Sequence, residues 1–292
     1  MSWPAFWLLL AASLHPPVQA SVVVAYESDV GAYGEALEGV RAGLGDTLPL
    51  VIDLHTPGGT AELARALGSR DTRVVIAVGA RALSEVQSRK PAARVFGAMV
   101  LHASVPDNLA GRVDLDVALS TQLQVLKALF PHRTRVGIIR NPQHAQFSAE
   151  ASETRARKEG LTLVVAECDG PARLLKTMAS LKGRVDLLLT FPDPDLYNPV
   201  TIKPLILNAL ENRLPVVGFS PAFVRAGAVA GIYPDYRETG RQVAELALRM
   251  MHGEQRPAGD SPANVRVAVN ERVARLLGVE FGPTPFPVEV FR

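Results

Sequence analysis

Cysteine is nearly absent from this chain of 292 residues, in which Cys168 is the only one. A single thiol excludes an internal disulfide and any zinc or iron–sulfur site built from several cysteines. The six histidines are scattered, and none has the spacing of a metal-ligand set. Basic and acidic residues nearly balance, 31 against 29, so the chain lacks the positive charge of a dedicated nucleic-acid binder. We therefore expect no metal, no cofactor and no nucleic-acid partner.

Enzyme signatures are also missing. The sequence has no phosphate-binding GxxxxGK(S/T) loop, no HExxH, no GxSxG nucleophile elbow, and no GxGxxG after its first predicted strand. No apolar run approaches the roughly 20 residues that a helix needs to span a bilayer. These absences favour a protein that is neither an enzyme nor a membrane-spanning chain.

The N-terminal segment is typical of a targeting sequence. Residues 1–20 contain no Lys, Arg, Asp or Glu, and Trp3–Leu14 is apolar but too short for a membrane span. His15 and two prolines interrupt this stretch, and Val18–Ala20 matches a small-residue cleavage pattern. The pattern predicts a secretory signal peptide, residues 1–20, cut after Ala20, with a buried helix as the alternative. No cysteine follows to carry a lipid anchor, so we expect a periplasmic protein that is not membrane-anchored.

Beyond this segment, apolar runs alternate with amphipathic stretches. Continuous apolar strands between helices indicate parallel sheets that are covered on both faces. The alternation restarts after a polar stretch near Ser104–Asp114, which favours two consecutive open α/β units, with one eight-fold barrel as the minor alternative. The predicted strands are Ser21–Tyr26, Leu50–Ile52, Val74–Val78, Arg94–Val100, Val136–Ile139, Leu161–Ala166, Val185–Thr190, Val216–Phe219, Ala228–Tyr233 and Val265–Val269.

Candidate ligand contacts follow these strands, because ligands of open α/β sheets bind beyond the carboxyl ends of the strands. All five tyrosines lie near strand ends, and aromatic walls with a few polar groups suit a small-molecule cleft. Packing of these rings between lobes or subunits is the alternative. The predicted ligand-binding residues are Ser28, Asp29, Tyr33, Gly79, Ala80, Met99, Asn141, Phe191, Asp193, Tyr197, Phe219, Ser220 and Tyr233.

The segment Pro192–Asp195 contains two carboxylates that could suggest an acid–base pair. Its alternating prolines are more typical of a rigid turn. We interpret Asp195 as a turn-forming residue and Asn198 as the cap of a helix that begins beyond Pro199.

Three stretches resemble the substrate-binding proteins of ABC transporters, in the branch with the type I periplasmic-binding-protein fold. They are Ala32–Gly39; Leu189–Pro199; and Pro215–Ser220 with Val224–Ala228, Tyr233–Asp235 and the helix from Thr239. The resemblance covers essentially all of the chain after residue 20. It implies two doubly wound, Rossmann-like α/β lobes joined by a three-strand hinge.

The same resemblance implies a division of the chain. Residues 21–103 and 235–257 would form the N-terminal lobe, and residues 104–234 and 258–292 the C-terminal lobe. The chain would cross between them near Ala103–Asp114, Tyr233–Asp235 and Pro257–Pro262, and the helix Glu238–Met251 would return to the first lobe.

The implied function is that of a periplasmic solute-binding component of an ABC importer. A monomer would capture a small-molecule ligand between closing lobes and dock on permease subunits in the inner membrane. Related sugar-binding members carry an acidic residue where this chain has Ser220, so the resemblance favours an apolar or aromatic amino acid over a pentose. Two alternatives stay open: a ligand sensor that feeds a signalling partner, and a hydrolase or isomerase on a similar fold.

On the amino-acid interpretation, the strand-end residues divide into three roles. The hydrogen-bonding residues Ser28, Asn141 and Ser220 would bind the ligand carboxylate. Asp29 or Asp193 would pair with its ammonium group. The rings would stack on its side chain, and they are Tyr33, Phe191, Tyr197 and Phe219.

Overall fold

The computed structural model describes residues 21–101, 109–144, 148–254 and 261–292. These residues form two open β-sheets of mainly parallel strands flanked by helices, so the predicted pair of α/β units is confirmed and the barrel alternative is wrong. The predicted signal peptide, residues 1–20, lies outside the described residues. So do most of the predicted crossing at Pro257–Pro262 and part of the one at Ala103–Asp114.

The first sheet has five parallel strands in the order β2-β1-β3-β4-β5. Its central strands consist almost entirely of buried aliphatic residues, because helices cover both faces. The elements are β1 Val22–Tyr26, α1 Gly31–Leu44, β2 Leu50–Asp53, α2 Gly59–Gly68, β3 Val74–Val78, α3 Ala80–Ser88, β4 Arg94–Val100 and β5 Gly111–Asp114.

The second sheet has seven strands in the order β12-β11-β10-β9-β8-β6-β7, and only the β10–β11 pair is antiparallel among the described residues. Its core also lies on both faces of the sheet. The elements are α4 Leu119–Leu129, β6 Arg135–Arg140, α5 Ala149–Lys158, β7 Thr162–Glu167, α6 Leu174–Ser180, β8 Leu187–Leu189, α7 Pro199–Glu211, β9 Val216–Gly218, α8 Pro221–Ala226, β10 Ala230–Pro234, α9 Tyr236–Met251, β11 Val265–Asn270, α10 Glu271–Leu277 and β12 Val288–Phe291.

Helix α9 links the two sheets. It follows β10 of the second sheet, yet its buried face packs against α1 and the first-sheet strands β4 and β5. The chain then returns to the second sheet at β11. We call the first sheet with α1, α2, α3 and α9 the first lobe, and the second sheet with the remaining helices the second lobe. The predicted return of this helix to the first lobe stays a prediction, which this packing supports.

The predicted lobe boundary at residues 103 and 104 needs a correction. Strand β5, Gly111–Asp114, pairs with β4, so the chain leaves the first sheet after Asp114. The four residues of β5 include a glycine and two charged side chains, which gave no apolar run to recognise. Apart from this shift, the proposed division into lobes stays a prediction.

One carboxylate at the amino-terminal edge of the second sheet ties β6 to β8. Asp186 accepts hydrogen bonds from the backbone N–H groups of Thr134 and Arg135 at 3.1 and 2.8 Å, and from the Arg135 guanidinium at 2.6 Å. Partial burial by itself would raise the pKa of Asp186. The hydrogen bonds and the charge of Arg135 outweigh that effect, so the pKa lies below the ordinary aspartate value.

We expect Asp186→Asn to lower the free energy of unfolding at neutral pH by about 1–3 kcal/mol, because hydrogen bonds to a charged acceptor are lost. A lowered folded-state pKa contributes stability that is complete above the unfolded-state pKa and is lost as pH falls through the folded-state pKa. The difference between wild type and Asp186→Asn should therefore shrink as pH falls below about 4. Urea unfolding of both proteins across this range measures it, with Asp46→Asn, at an exposed turn position, as the control. A pH-independent difference would contradict the assignment.

Candidate functional site

Each lobe has a topological switch point at the carboxyl edge of its sheet. In the first lobe the chain leaves β1 toward β2 on one side and returns to β3 on the other, so the switch point lies between β1 and β3. The second sheet repeats this arrangement with β6, β7 and β8. Open α/β sheets bind ligands in the crevice at such points, because the loops that follow the two strands diverge there. The two crevices are the candidate functional site.

The loop after β1 is shaped by Asp53, the last residue of β2. Its carboxylate accepts hydrogen bonds from the backbone N–H groups of Ser28 at 3.1 Å and His55 at 2.9 Å. Desolvation would raise the pKa of Asp53, but hydrogen bonds from Ser28 and His55 lower it overall. Ser28 and Asp29 are exposed, and the Asp29 carboxylate lies 3.6 Å from His55 Nδ1.

The ring of Tyr33 covers the end of β3. A Cβ atom placed on Gly79 would meet ring carbons of Tyr33 at 2.6 Å and its hydroxyl oxygen at 2.8 Å. Gly79 has φ +93°, and its N–H donates to the carbonyl of Ala98 at 2.8 Å. Tyr33 is half-buried, and burial, followed by the nearby charges of Glu27 and Asp29, raises its pKa. The predicted residues Tyr33 and Gly79 are therefore in direct contact.

An ion pair at this switch point was missed by the sequence analysis. Arg81, in the first turn of α3, donates from Nη1 to Glu27 Oε1 at 2.8 Å. The Glu27 side chain is 13% exposed and that of Arg81 is 54% exposed. Glu27 directly follows β1, and Arg81 lies three residues after the end of β3, so their position near the sheet edge was predictable, but their pairing was not.

Two further predicted residues of the first lobe have different surroundings. Ala80 is exposed at the start of α3. Met99 is 2% exposed, has φ +58°, and lies where the β4–β5 register shifts. Its side chain packs in the core of the first lobe, which gives it a structural role; a role in ligand binding stays a prediction.

The polar residues after β6 and β8 form turns. Asn141 is buried, and its side-chain oxygen accepts a hydrogen bond from Gln143 N–H at 3.0 Å. Asp193 is also buried and accepts from the N–H groups of Asp195 and Leu196 at 3.0 and 3.1 Å. The predicted turn is therefore present, but Asp193 rather than Asp195 supplies the side-chain acceptor.

The predicted helix cap is confirmed. The Asn198 side chain accepts hydrogen bonds from the N–H groups of Val200 and Thr201 at the start of α7. The Thr201 hydroxyl accepts in turn from the Asn198 N–H at 3.0 Å. This reciprocal pair holds the segment that leads from the β8 crevice into α7.

Aromatic side chains fill the second lobe beneath its crevice. Tyr197 is 5% exposed and donates its hydroxyl hydrogen to the carbonyl of Ile139 at 3.1 Å. Its ring meets those of Phe219 and Phe223 edge-on, with centroids 6.2 Å apart in both pairs. Burial is the main cause that raises the pKa of Tyr197, so it remains protonated. Tyr197 thus supports the crevice from the core.

Three predicted residues near this cluster remain partly accessible. Phe219 is half-buried, with its ring centroid 4.6 Å from that of Phe223. Phe191 and Ser220 are also half-buried; Phe191 is the second residue after β8, and Ser220 directly precedes α8. Thr190, which was not predicted, precedes them and is fully buried, with its hydroxyl donating to the carbonyl of Val217 at 3.1 Å.

Tyr233 belongs to the junction between the lobes. It is 2% exposed, and its hydroxyl donates to Glu289 Oε2 at 2.9 Å. Its ring lies 5.7 Å from that of Tyr236, which packs against the cores of both lobes. Burial raises the pKa of both tyrosines. The alternative assignment for the rings, packing between lobes, describes this pair well.

Among the residues that the structure describes, no group of three or more His, Cys, Asp or Glu side chains could hold a metal ion. A separate search of the same residues found no helix that is both long and apolar enough to cross a membrane. Seven of the predicted ligand-binding residues are exposed or partly accessible near strand ends; they are Ser28, Asp29, Tyr33, Ala80, Phe191, Phe219 and Ser220.

Two open α/β sheets, each with a switch point at its carboxyl edge, are typical of two-lobed solute-binding proteins. A family model described as ABC transporter substrate binding protein matches residues 56–281. The chain belongs to this family, as the resemblance in its sequence implied.

Comparison with individual proteins agrees with this family. The chain is 23% identical over 179 residues to a tyrosine-binding protein of Clostridioides difficile strain R20291. The matched segment is 59% of this chain and 50% of that protein, so the chain spans about half the length of this curated relative.

Solved structures share the fold over nearly the whole chain. A ligand-free, open substrate-binding protein with adhesive properties from Clostridium difficile gives a TM-score of 0.63 at 16% identity, covering 93% of this chain and 98% of that one. An ABC domain from Streptococcus pneumonia in complex with L-Trp gives 0.56 at 16% identity, covering 89% and 95%. At this identity the likeness establishes the fold, and the predicted type I periplasmic-binding-protein fold is confirmed.

Proposed function

We propose that this substrate-binding protein captures an apolar or aromatic amino acid between its lobes and delivers it to the permease of an ABC importer. The observation that carries the proposal is the composition of the two switch points. Tyr33 in the first lobe and Phe191 and Phe219 in the second present partly accessible rings at the carboxyl edges of the sheets. Such rings suit a flat or branched apolar side chain.

The polar groups of the same crevices support an amino acid over a sugar. Carboxylates and an arginine follow the first-lobe strands, and Ser220 is partly accessible in the second lobe. Each lobe alone presents an open surface. Closure would exclude water from the bound ligand, which strengthens each polar contact. The relatives that carry tyrosine and L-Trp in their descriptions agree with this ligand class.

The importer proposal includes the periplasm as the site of action. Cleavage after Ala20 would remove both tryptophans, Trp3 and Trp7, and release a monomer without a membrane anchor. The other strand-end residues of the sequence analysis remain proposed ligand contacts. Tyr197, Tyr233, Asn141, Asp193 and Met99 would act mainly by supporting the crevices, because each is buried.

The proposal is tested on protein purified from the periplasmic fraction. Calorimetry against amino acids, sugars and short peptides should give saturable binding of apolar or aromatic amino acids. Small-angle scattering at saturation should give a smaller radius of gyration, because the lobes close. Binding of a sugar with no response to any amino acid would overturn the ligand class. An N-terminus at Met1 would overturn the signal peptide, and an unchanged radius despite saturation would overturn closure.

A further inference from the structure

The ion pair between Glu27 and Arg81 occupies the centre of the first-lobe switch point. Glu27 follows β1 and Arg81 follows β3, the two strands between which the chain reverses its winding. Tyr33 and Gly79 lie beside it. The Glu27 carboxylate is close enough to Tyr33 that its negative charge helps to raise the pKa of the tyrosine hydroxyl. A ligand that enters this crevice to contact Tyr33 therefore meets both members of the pair.

The pair is poorly suited to a purely structural role. More than half of the Arg81 side chain is exposed, and ion pairs at that level of exposure contribute little to stability, because water screens them. Its partner Glu27 is far less exposed than Asp29, the carboxylate two residues later, whose side chain is 48% exposed and lies near His55. The Asp53 carboxylate already accepts hydrogen bonds from two backbone N–H groups. Glu27 is thus the carboxylate of this edge that a ligand can share.

We propose that Glu27 binds the ammonium group and Arg81 the carboxylate of one amino-acid ligand, whose main-chain atoms insert at this ion pair. The inference rests on the proposed function and deepens it by naming how the zwitterion is recognised. Neither residue was among the ligand contacts predicted from the sequence. The ring of Tyr33 is then placed beside the ligand's side chain.

Charge balance supplies the selectivity. When the second lobe closes, charges in the crevice lose water and each needs a partner of opposite sign. A zwitterion adds one positive and one negative charge, so all four charges are paired. An amine without a carboxylate would compete with Arg81 for Glu27 and leave the guanidinium uncompensated. A carboxylate without an ammonium group would leave Glu27 uncompensated in the same way.

The experiment combines changes in the protein with matching changes in the ligand. Binding of L-phenylalanine, phenethylamine and 3-phenylpropanoate is measured by calorimetry, together with the corresponding set L-leucine, 3-methylbutylamine and 4-methylpentanoate. Wild-type protein should bind at least one amino acid at least tenfold more tightly than either of its analogues. Glu27→Gln should weaken binding of that amino acid tenfold or more, but binding of the deaminated acid should be unweakened or tighter, because no uncompensated carboxylate then remains in the crevice. Arg81→Gln should also weaken binding of the amino acid tenfold or more, without weakening binding of the decarboxylated amine.

The matched control is the ion pair between Glu85 in helix α3 and Arg89 directly after it, whose charged atoms are 2.6 Å apart. Glu85→Gln and Arg89→Gln should leave all affinities unchanged, and thermal melting should give similar midpoints for all four variants. If Glu27→Gln and Arg81→Gln each weakened binding of the amino acid, the amine and the acid equally, the inference would be overturned. It would also be overturned if either variant bound the amino acid with wild-type affinity. If wild-type protein bound sugars but no amino acid, the proposed function would fail and this inference with it.

Discussion

Replacing Gly240 by alanine is expected to destabilise the protein by about 3 kcal/mol, close to the upper range for overpacked core sites. Gly240 lies on α9 where the helix touches α1, and an added Cβ would fall far inside van der Waals contact with the backbone carbonyl of Ala36. Gly39 meets the carbonyl of Arg237 in the same way from the other helix. Backbone cannot move aside as a flexible side chain does, so either substitution must separate the two helices.

Gly34→Ala is the matched control, because Gly34 lies on the same helix α1 and an added Cβ there would have nothing within 4 Å. It should be neutral or stabilising by up to about 1 kcal/mol, the helix propensity gain of alanine over glycine. Urea unfolding followed by circular dichroism measures all three variants. Equal midpoints for Gly34→Ala and Gly240→Ala would show that the α1–α9 contact is looser than described.

Gly79→Ala is expected to weaken amino-acid binding tenfold or more. The new methyl group would meet the Tyr33 ring at 2.6 Å, so the ring must leave its place at the switch point. The residue would also be held at φ +93° and ψ 161°, a backbone region essentially restricted to glycine, which costs alanine roughly 1–3 kcal/mol. Part of the effect is therefore on folding, and binding must be measured on protein shown to be folded.

Two variants separate the displaced ring from the strained backbone. Gly58→Ala introduces alanine at a similar φ of +89° with nothing within 4 Å of the new Cβ, so it should lower stability but leave affinity unchanged. In a Tyr33→Ala background the clash is gone, and Gly79→Ala should then change affinity less than threefold. Calorimetry with the amino acids bound by wild type gives both comparisons. Additive losses in the double variant would mean that Gly79 affects binding without Tyr33.

Ring packing in the second lobe complicates the interpretation of substitutions at Phe219. Phe219 is half-buried just after β9 and packs on Tyr197 and Phe223. Truncating Phe219 would open a cavity as well as remove a ligand contact, so a loss of affinity alone would not identify its role. Tyr33 and the ion pair at Glu27 and Arg81 give cleaner tests, because they lie at the accessible edge of the first sheet.

Much of the fold could be predicted from local patterns. The strands Val74–Val78 and Arg94–Val100 have the bounds that their apolar runs predicted, since such a run is stable only when buried on both faces. The cap at Asn198 was also predictable, because a capping hydrogen bond joins residues two or three positions apart. Helix α8, Pro221–Ala226, was missed although Pro221 begins it and Gly227 ends it in the left-handed conformation. A proline at the start of a helix and a glycine after its end are both sequence signals, so this helix was predictable.

Two of the edge strands, β5 and β12, were not predictable in the same way. Strand β5, Gly111–Asp114, has Val113 as its one large buried aliphatic residue and becomes a strand by pairing with β4. Strand β12, Val288–Phe291, likewise depends on pairing with β11. Such segments carry little apolar periodicity of their own, so the pairing partner decides their conformation.

The sequence by itself determined which residues follow strands, and therefore which ones lie at the ligand edge of each sheet. Only the tertiary structure decided which of these side chains are accessible there. In the folded protein Tyr197 and Tyr233 are buried in cores, whereas Tyr33 stays partly accessible over Gly79. Glu27 pairs with Arg81, 54 positions later in the sequence. The physical reason is that β3 pairs directly with β1 although β2 separates them along the chain, and strand order is set by packing of the whole sheet.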